Sequence, residues 1–502
     1  MKKYLLLLLL AVFTISCSKK VEVTGKIKGG SPLERIEFIE AAGVGTLPLA
    51  NLSLDKDGNY KGSFETPKDG MYVITYAGKQ GMIFLRKGEK LVLSGDAQFF
   101  PDIFQTSGNA KKDNDFIKGT QDFLAEYAPK VDFSKVILKD EAGFLAEVKK
   151  IETDLNKNID ETAKKTDAGS AVVSWKKDDM NISLYGLMSQ YELSHGQMVN
   201  NPSFKVSPKF IEYRDGLVKN GDKLVADMPM YRNLLINTLS ADFEKFAAKT
   251  PNSKDSQSTT FAKFLATKSD LSQTVKDYLL AYVISQTDLT PGATVEEQKK
   301  TTKLIDDNIK NNEVKKNLKD LQFVMAGPAQ NEVAPEGKLE TVDGKSFKLA
   351  DVKGKPTVVM FYASWNPYIA EGTIPVVKEV VNFYKSKMNF VFVNMDDTKD
   401  QAIKTSANLL KGIDGKKVYA ENGLQSEIAK KYGIYGFKLP SVILLDKDGK
   451  VASRFFYNLG EMEFVEKMDK LSGLKAPTVN PEITLQNDLL QQAQPAETAP
   501  AK

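Results

Sequence analysis

Two residue types that commonly carry out chemistry occur only once in this sequence. The chain of 502 residues holds a single cysteine, Cys17, and a single histidine, His195. A catalytic zinc site takes about three protein ligands, usually histidine, cysteine and carboxylates, so this composition disfavours one. Thiol–disulfide exchange needs sulfur on both reacting groups, and one cysteine cannot form an intramolecular disulfide. The sequence therefore predicts no metal site and no cofactor, and we expect His195 to be an ordinary helix residue.

Cys17 ends a segment that has the features of an export signal. The segment MKKYLLLLLLAVFTISC has a basic start, Lys2 and Lys3, followed by an apolar run too short to span a membrane. Its last residues, TISC, resemble the lipobox of bacterial lipoproteins, which implies cleavage before Cys17 and acylation of its sulfur. The alternative is an ordinary secretory signal in which Cys17 is incidental. We expect residues 1–16 to be a signal peptide and the acylated Cys17 to anchor the protein to a membrane.

The charge of the chain indicates no particular macromolecular partner. Lysine and arginine total 69, aspartate and glutamate total 65, and the formal net charge is +4. This balance predicts no nucleic-acid partner. An aspartate directly after the lipidated cysteine resembles an inner-membrane retention signal, and Ser18 stands at that position instead. We therefore expect a lipid-anchored protein of the bacterial cell envelope, on the outer membrane and facing the periplasm.

The patterning of the rest of the chain predicts a multidomain α+β protein. Residues 17–110 alternate apolar and polar side chains between glycine-containing turns, which predicts an antiparallel β-sandwich. Residues 111–328 repeat apolar side chains at helical spacing, which predicts a central all-α region. Residues 329–475 alternate buried strands with helices, which predicts an α/β domain with a mixed sheet. Within it, Asp343-Gly344 predicts a hairpin turn, and FKLPSVILLDKDGKVASRFF predicts two strands around Asp448-Gly449. Residues 476–502 are rich in proline, alanine and glutamine, and we expect a disordered tail.

Four features of residues 329–475 occur together and in order. They are APEGKLETVDGKSFKLADVKGK, VVMFYASW, YGIYGFKLPSVILLDKDGKV and a closing helix. This region resembles the thioredoxin-like domains of the TlpA and alkyl-hydroperoxide-reductase-like group. The resemblance implies a cis peptide bond between Leu439 and Pro440, in a loop that aligns an extended peptide substrate. Residues 17–110 resemble the domain of unknown function that precedes such modules in many envelope lipoproteins.

The redox motif of that family, Trp-Cys-x-x-Cys, is degenerate in this chain. The corresponding residues are Trp365, Asn366, Pro367, Tyr368 and Ile369. Pro375 lies one residue further from the tryptophan than is usual in the family, which indicates a one-residue insertion and leaves Ala370 as an alternative second cysteine position. Both sulfurs are absent in either alignment. Neither an amide nor an alkyl group replaces a thiolate as nucleophile.

The side chains around this turn carry structural expectations. Asn366 is a favourable helix cap, and we expect it to accept hydrogen bonds from N–H groups of the following turn. Trp365 is either core packing or an exposed anchor for a partner. Glu371 lies in the first turn of the expected helix, where the helix dipole favours a carboxylate, and we assign it no catalytic role.

The leading hypothesis is a redox-inactive thioredoxin-like lipoprotein that binds an envelope protein or an extended peptide. The groove beside Trp365, Asn366 and the Leu439-Pro440 loop would hold the peptide by main-chain pairing. One alternative is an oxidoreductase that relies on a partner's cysteines or on a cofactor. Another is an accessory subunit of an outer-membrane complex, with the helical region as its contact surface.

Overall fold

The structure is a computed structural model that describes residues 20–249, 255–366 and 369–476. Cys17, Pro367, Tyr368, the predicted signal peptide and all but the first residue of the predicted tail lie outside the described residues. The chain forms two compact units: Met1–Leu289 with Thr294–Leu321, and Thr290–Ala293 with Gln322–Lys502. Within the described ranges, no helix has the length and apolar character needed to cross a membrane.

The first unit begins with eight strands in two sheets, as the alternating pattern predicts. The strands are β1 (Lys20–Lys28), β2 (Arg35–Glu40), β3 (Ala50–Ser53), β4 (Asn59–Glu65), β5 (Gly70–Tyr76), β6 (Lys79–Leu85), β7 (Lys90–Asp96) and β8 (Phe104–Gly108). One sheet has the order β4-β1-β7-β8 and the other β3-β2-β5-β6. Side chains of both sheets, such as Val23 and Phe38, share one apolar core, so the two sheets form a sandwich.

One strand pair departs from the predicted antiparallel pattern. β1 and β7 are parallel, with Val23 opposite Leu91. The chain passes through β2 to β6 before it reaches β7. Because this connection is long and is not a hairpin, the two strands can pair in the parallel direction. The other pairs among these described strands are antiparallel.

The helical region follows directly and belongs mostly to the first unit. The helices are α1 (Lys111–Tyr127), α2 (Phe133–Val136), α3 (Glu141–Thr166), α4 (Ser170–Met198), α5 (Pro208–Gly216), α6 (Gly221–Asp227), α7 (Pro229–Lys249), α8 (Gln257–Thr267), α9 (Gln273–Thr287), α10 (Val295–Asn308) and α11 (Asn312–Ala326). In α3 the side chain of Asp140 caps the helix start, and the predicted apolar residues Phe144, Val148 and Ile151 are buried.

His195 is a buried residue of α4, as expected for an ordinary helix position. Its Nδ1 lies 2.8 Å from the main-chain oxygen of Ile137, and its ring stacks on Tyr191 with the ring centroids 4.4 Å apart. These contacts give the imidazole a packing role.

The second unit is built on a six-stranded mixed sheet, which confirms the predicted architecture. Its strands are β9 (Leu339–Thr341), β10 (Ser346–Phe347), β11 (Thr357–Tyr362), β12 (Asn389–Asn394), β13 (Lys416–Ala420) and β14 (Ser441–Leu445), in the order β10-β9-β13-β12-β11-β14. The helices are α12 (Ile374–Tyr384), α13 (Lys399–Leu409), α14 (Glu427–Tyr432) and α15 (Met462–Ser472). β12 is parallel to β11 and β13, whereas β14 is antiparallel to β11.

The burial of β11 is the reason that this sheet can be predicted from the sequence. All six of its residues are buried, and alternate side chains enter two separate apolar cores, with Val359 and Phe361 on one face and Met360 and Tyr362 on the other. A strand covered on both faces reads as a continuous apolar run.

The second strand predicted around Asp448-Gly449 does not form. Only isolated bridges connect Val442 with Phe456 and Leu445 with Val451. The Leu444 N–H donates to the hydroxyl of Ser453 at 3.0 Å rather than to a main-chain carbonyl, which interrupts the ladder.

Candidate functional site

The turn after β11 and the loop before β14 lie against each other and form the candidate site. The peptide bond between Leu439 and Pro440 is cis, as the family resemblance implies. The side-chain amide of Asn366 donates a hydrogen bond to the main-chain oxygen of Leu439 at 2.6 Å. The two segments are adjacent because β11 and β14 are neighbouring antiparallel strands. The fold thus brings together the two parts of the site that the sequence predicted separately.

Trp365 is a packing residue. It is 6% exposed and belongs to the apolar core that also contains Ala363, Val393 and Leu439. The alternative of an exposed tryptophan anchor is therefore wrong. Burial of a large aromatic side chain contributes stability to the turn and leaves its ring unavailable to a partner.

Ile369 fills a position that the family resemblance assigns to sulfur. It is buried in the other core of the unit, which also contains Val377 and Phe456. An alkyl side chain at this position therefore contributes apolar packing beneath the turn and has no group able to attack a disulfide.

The start of the following helix has an unusual geometry. Residues Ile369–Thr373 form a π-helical turn, and the α-helical part, α12, begins at Ile374 with Pro375 in its first turn. A π turn closes its hydrogen bond over one more residue than an α turn, which agrees with the one-residue insertion inferred from the position of Pro375. The turn includes Pro367 and Tyr368, which lie outside the described residues, so the helix cap expected at Asn366 stays a prediction.

A buried carboxylate that the sequence analysis did not single out lies beneath this turn. Asp396, just after β12, is 0% exposed. One of its oxygens accepts hydrogen bonds from the N–H of Ser364 at 2.7 Å and from the Ser364 hydroxyl at 2.9 Å. The other accepts from Thr405 Oγ1 at 2.7 Å and from Asn394 Nδ2 at 2.9 Å. The carboxylate is thus satisfied, and it fixes the first residue of the turn.

Lys438 is a second residue that the sequence analysis missed. It directly precedes Leu439 and is 1% exposed. Its Nζ donates to the main-chain oxygen of Val324 at 2.5 Å and lies 4.3 Å from the ring centroid of Phe455. Burial lowers the pKa of the Lys438 ammonium to about 7. The local pattern of Phe437, Lys438 and Leu439 gives no signal of burial, because a lysine in a glycine-containing loop is usually solvated.

The rim of the site has an exposed aromatic surface. Phe437 is 55% exposed, and its ring stacks on that of Tyr435 with the centroids 5.9 Å apart. Tyr435 and Pro440 are half-buried. An exposed phenylalanine ring that packs on a tyrosine next to an irregular loop is a surface that apolar side chains of a partner can contact.

Comparison with known proteins defines the class of this unit. Residues 331–454 match the AhpC/TSA family model. The carboxyl-terminal unit is therefore a thioredoxin-like domain, and its homologues include thiol-disulfide oxidoreductases. A β-rich first region and a helical middle region precede this domain in the chain, and together the three make a multidomain α+β protein.

Individual relatives are similar to this unit alone. The thiol-disulfide oxidoreductase ResA of Bacillus thuringiensis is 36% identical over 121 residues, which cover 24% of this chain and 64% of the relative. ResA of Bacillus anthracis is 31% identical over 129 residues, covering 24% of this chain and 66% of the relative. Among solved structures, the carboxyl-terminal domain of a putative thiol-disulfide oxidoreductase from Bacteroides thetaiotaomicron is 28% identical, covers 29% of this chain and 99% of that chain, and has a TM-score of 0.25.

Proposed function

We propose that this protein is a redox-inactive thioredoxin-like lipoprotein that binds a protein or an extended peptide in the bacterial envelope. The observation that carries the proposal is the hydrogen bond between Asn366 and Leu439. It connects the degenerate redox turn to the cis-proline loop with an amide, in a chain whose single cysteine is Cys17. Thiol–disulfide exchange requires a thiolate nucleophile, and the side chains of Asn366 and Ile369 supply none.

The loop retains groups that suit peptide binding. A carbonyl oxygen has two lone pairs, so the Leu439 oxygen can accept a second hydrogen bond beside the one from Asn366. Phe437 and Tyr435 add apolar contact area at the same loop. Main-chain pairing with side-chain pockets at alternate positions is a common way of holding an extended peptide.

The absence of redox activity is tested with the full mature chain. Insulin reduction in the presence of dithiothreitol and consumption of hydrogen peroxide should both proceed at the rate of the protein-free control. Turnover above that rate in either assay would contradict the proposal. A matched positive control is the double variant Asn366→Cys/Ile369→Cys, which restores the two sulfurs of the family motif to the same fold.

Peptide binding is tested on an array of immobilised decapeptides of random sequence. We expect saturable binding to peptides that carry apolar residues at alternate positions, because these match the two-residue side-chain period of an extended strand. Binding that depends only on peptide charge would contradict a groove of this kind.

The names of the relatives favour a second candidate function, a thiol-disulfide oxidoreductase that relies on a partner's cysteines or a cofactor. In that case the protein isolated from its native membrane would have disulfide-exchange activity, and substitution at Asn366 would abolish it. The third candidate is an accessory subunit of an outer-membrane complex. It predicts a stoichiometric partner that co-purifies with the lipidated chain and is lost when the helical region is altered.

We also propose that acylated Cys17 anchors the protein to the outer membrane. The support is the TISC sequence after a short apolar run, together with Ser18 in place of an aspartate. Metabolic labelling with an alkyne analogue of palmitate should label the wild-type chain and leave Cys17→Ala unlabelled. Sucrose-gradient separation of the membranes should place the labelled chain in the outer-membrane fraction, and recovery in the inner-membrane fraction would refute the assignment.

A further inference from the structure

The first unit contains a cavity of about 190 Å³ that no part of the proposed function uses. It lies between the β-sandwich and helices α4 and α6. The apolar part of its lining includes Met71, Phe84 and Trp175, and the polar part includes Glu40, Lys68 and Asp227. A cavity of about 150 Å³ is large enough for a benzene ring. This space can therefore hold a small aromatic molecule or an amino-acid side chain.

Glu40 is a carboxylate of this cavity that has one long ion pair. It is 8% exposed, at the end of β2. Its nearest ion-pair partner is Lys68, whose Nζ lies 3.7 Å from the carboxylate, beyond hydrogen-bond distance. Burial raises the pKa of Glu40, whereas the positive charges of Lys68 and of the buried Arg232 oppose the rise. A largely buried carboxylate held by one long ion pair gains stability from a further donor that a ligand or water supplies.

The two lysines at the cavity are held by other carboxylates. Lys68 Nζ donates to Asp227 at 2.8 Å. Lys223, on the rim, donates to Asp178 at 2.8 Å. Each ammonium therefore has a closer carboxylate than Glu40, whose own ion pair with Lys68 is long. In the cavity lining, the carboxylates Glu40, Asp69 and Asp227 outnumber the two lysines. This arrangement favours a ligand that carries a positive charge and N–H donors.

We propose that this cavity binds an organic cation, namely a primary ammonium group on an apolar or aromatic stem. The ammonium donates to the Glu40 carboxylate, and the stem packs on Met71, Phe84 and Trp175. An indole face attracts a cation electrostatically, which adds to the apolar contact. A free amine and the lysine side chain of a peptide share this chemistry, so the experiment distinguishes them.

The test measures binding to the full mature chain by isothermal titration calorimetry. The probes are benzylamine, benzyl alcohol and Nα-acetyl-lysine amide. We expect saturable binding of at least one amine, and benzylamine at least tenfold tighter than the uncharged alcohol. Tighter binding of benzylamine indicates a free aromatic amine as the ligand class, and tighter binding of acetyl-lysine amide indicates a peptide side chain. Absence of saturable binding by both amines, or equal affinity for amine and alcohol, would overturn the proposal.

Two variants locate the binding at Glu40. Glu40→Gln keeps the size of the side chain and removes its charge, and we expect it to weaken amine binding at least tenfold. The control is Glu89→Gln, because Glu89 has the same 8% exposure and does not line the cavity. Unchanged binding by Glu40→Gln, or an equal loss in both variants, would refute the site. If Glu40→Gln fails to fold by circular dichroism, the comparison of amine with alcohol on the unmodified chain decides.

Discussion

The side-chain amide of Asn366 and the main-chain carbonyl of Leu439, 73 residues apart in the sequence, are joined by a hydrogen bond of 2.6 Å. This bond crosses from the turn after β11 to the cis-proline loop before β14. The amide occupies one lone pair of the Leu439 oxygen and fixes the turn to the loop.

Removing the Asn366 amide should loosen this connection. Asn366→Ala loses one hydrogen bond, and we expect it to lower the free energy of unfolding of the second unit by about 0.5–1.5 kcal/mol. Asn366→Asp should cost more at pH 7, since its carboxylate faces a carbonyl oxygen that also carries negative charge. Below about pH 4 the carboxyl group is protonated and can donate to the Leu439 oxygen, so Asn366→Asp should recover towards the stability of the parent and no longer be less stable than Asn366→Ala.

Urea unfolding followed by Trp365 fluorescence measures these differences. The chain has two tryptophans, so a Trp175→Phe background makes Trp365 the sole reporter of the second unit. An Asn366→Asp variant as stable at pH 7 as the parent would show that the amide donor is unimportant.

Asp396 should be the polar residue whose substitution destabilises the turn most. Asp396→Asn removes the negative charge and replaces one acceptor oxygen by a donor, so hydrogen bonds from Ser364 or Thr405 are lost. We expect a loss of about 1.5–3 kcal/mol in the same unfolding measurement, as for hydrogen bonds to a charged group. The control is Asp400→Asn, at an exposed residue in the first turn of α13, which should lower the free energy of unfolding by only about a few tenths of a kcal/mol. Equal effects of the two substitutions would contradict a structural role for the buried carboxylate.

Lys438 should make the stability of the second unit depend on pH. Its ammonium has a pKa of about 7 in the folded state and about 10.5 in the unfolded chain. Between these values the unfolded state binds more protons, so the free energy of unfolding should rise with pH, by at most about 1.4 kcal/mol per unit. Lys438→Met removes the titrating group and should flatten this rise between pH 7 and 9.

The control for this measurement is Lys447→Met, a change at an exposed lysine of the same unit. It should leave the slope of the unfolding free energy against pH unchanged. A parent protein whose slope equals that of Lys438→Met would show that Lys438 is solvated or already neutral across this range.

Phe437 should matter for binding and little for stability. Because its ring is more than half exposed, Phe437→Ala removes contact area that a peptide would cover. We expect at least tenfold weaker binding to the peptides selected on the array, with an unchanged unfolding midpoint. Phe383→Ala, at a half-exposed phenylalanine on α12, is the control and should bind as the parent does. Loss of binding in both variants would indicate non-specific apolar contact.

Much of the second unit was predictable because its signals are local. The run of apolar residues in β11, the Asp343-Gly344 and Asp448-Gly449 turns and the spacing of α12 each follow from the period of a strand or helix. The extra strand after Asp448 was predicted wrongly, because the side chain of Ser453 competes with the main chain for the Leu444 N–H. Such competition depends on a neighbour in space and leaves no periodic signal.

The sequence by itself determined the absence of paired sulfurs, the family of the carboxyl-terminal unit and the order of β-rich, helical and α/β regions, since these follow from residue identity and local pattern. The tertiary structure decided that Trp365 is packed inside, that Asp396 and Lys438 are buried, and that Asn366 reaches Leu439. The physical reason is that burial and long-range hydrogen bonds are properties of what surrounds a side chain. The identity of a lysine or an aspartate in the sequence does not show whether water or an apolar core surrounds its side chain.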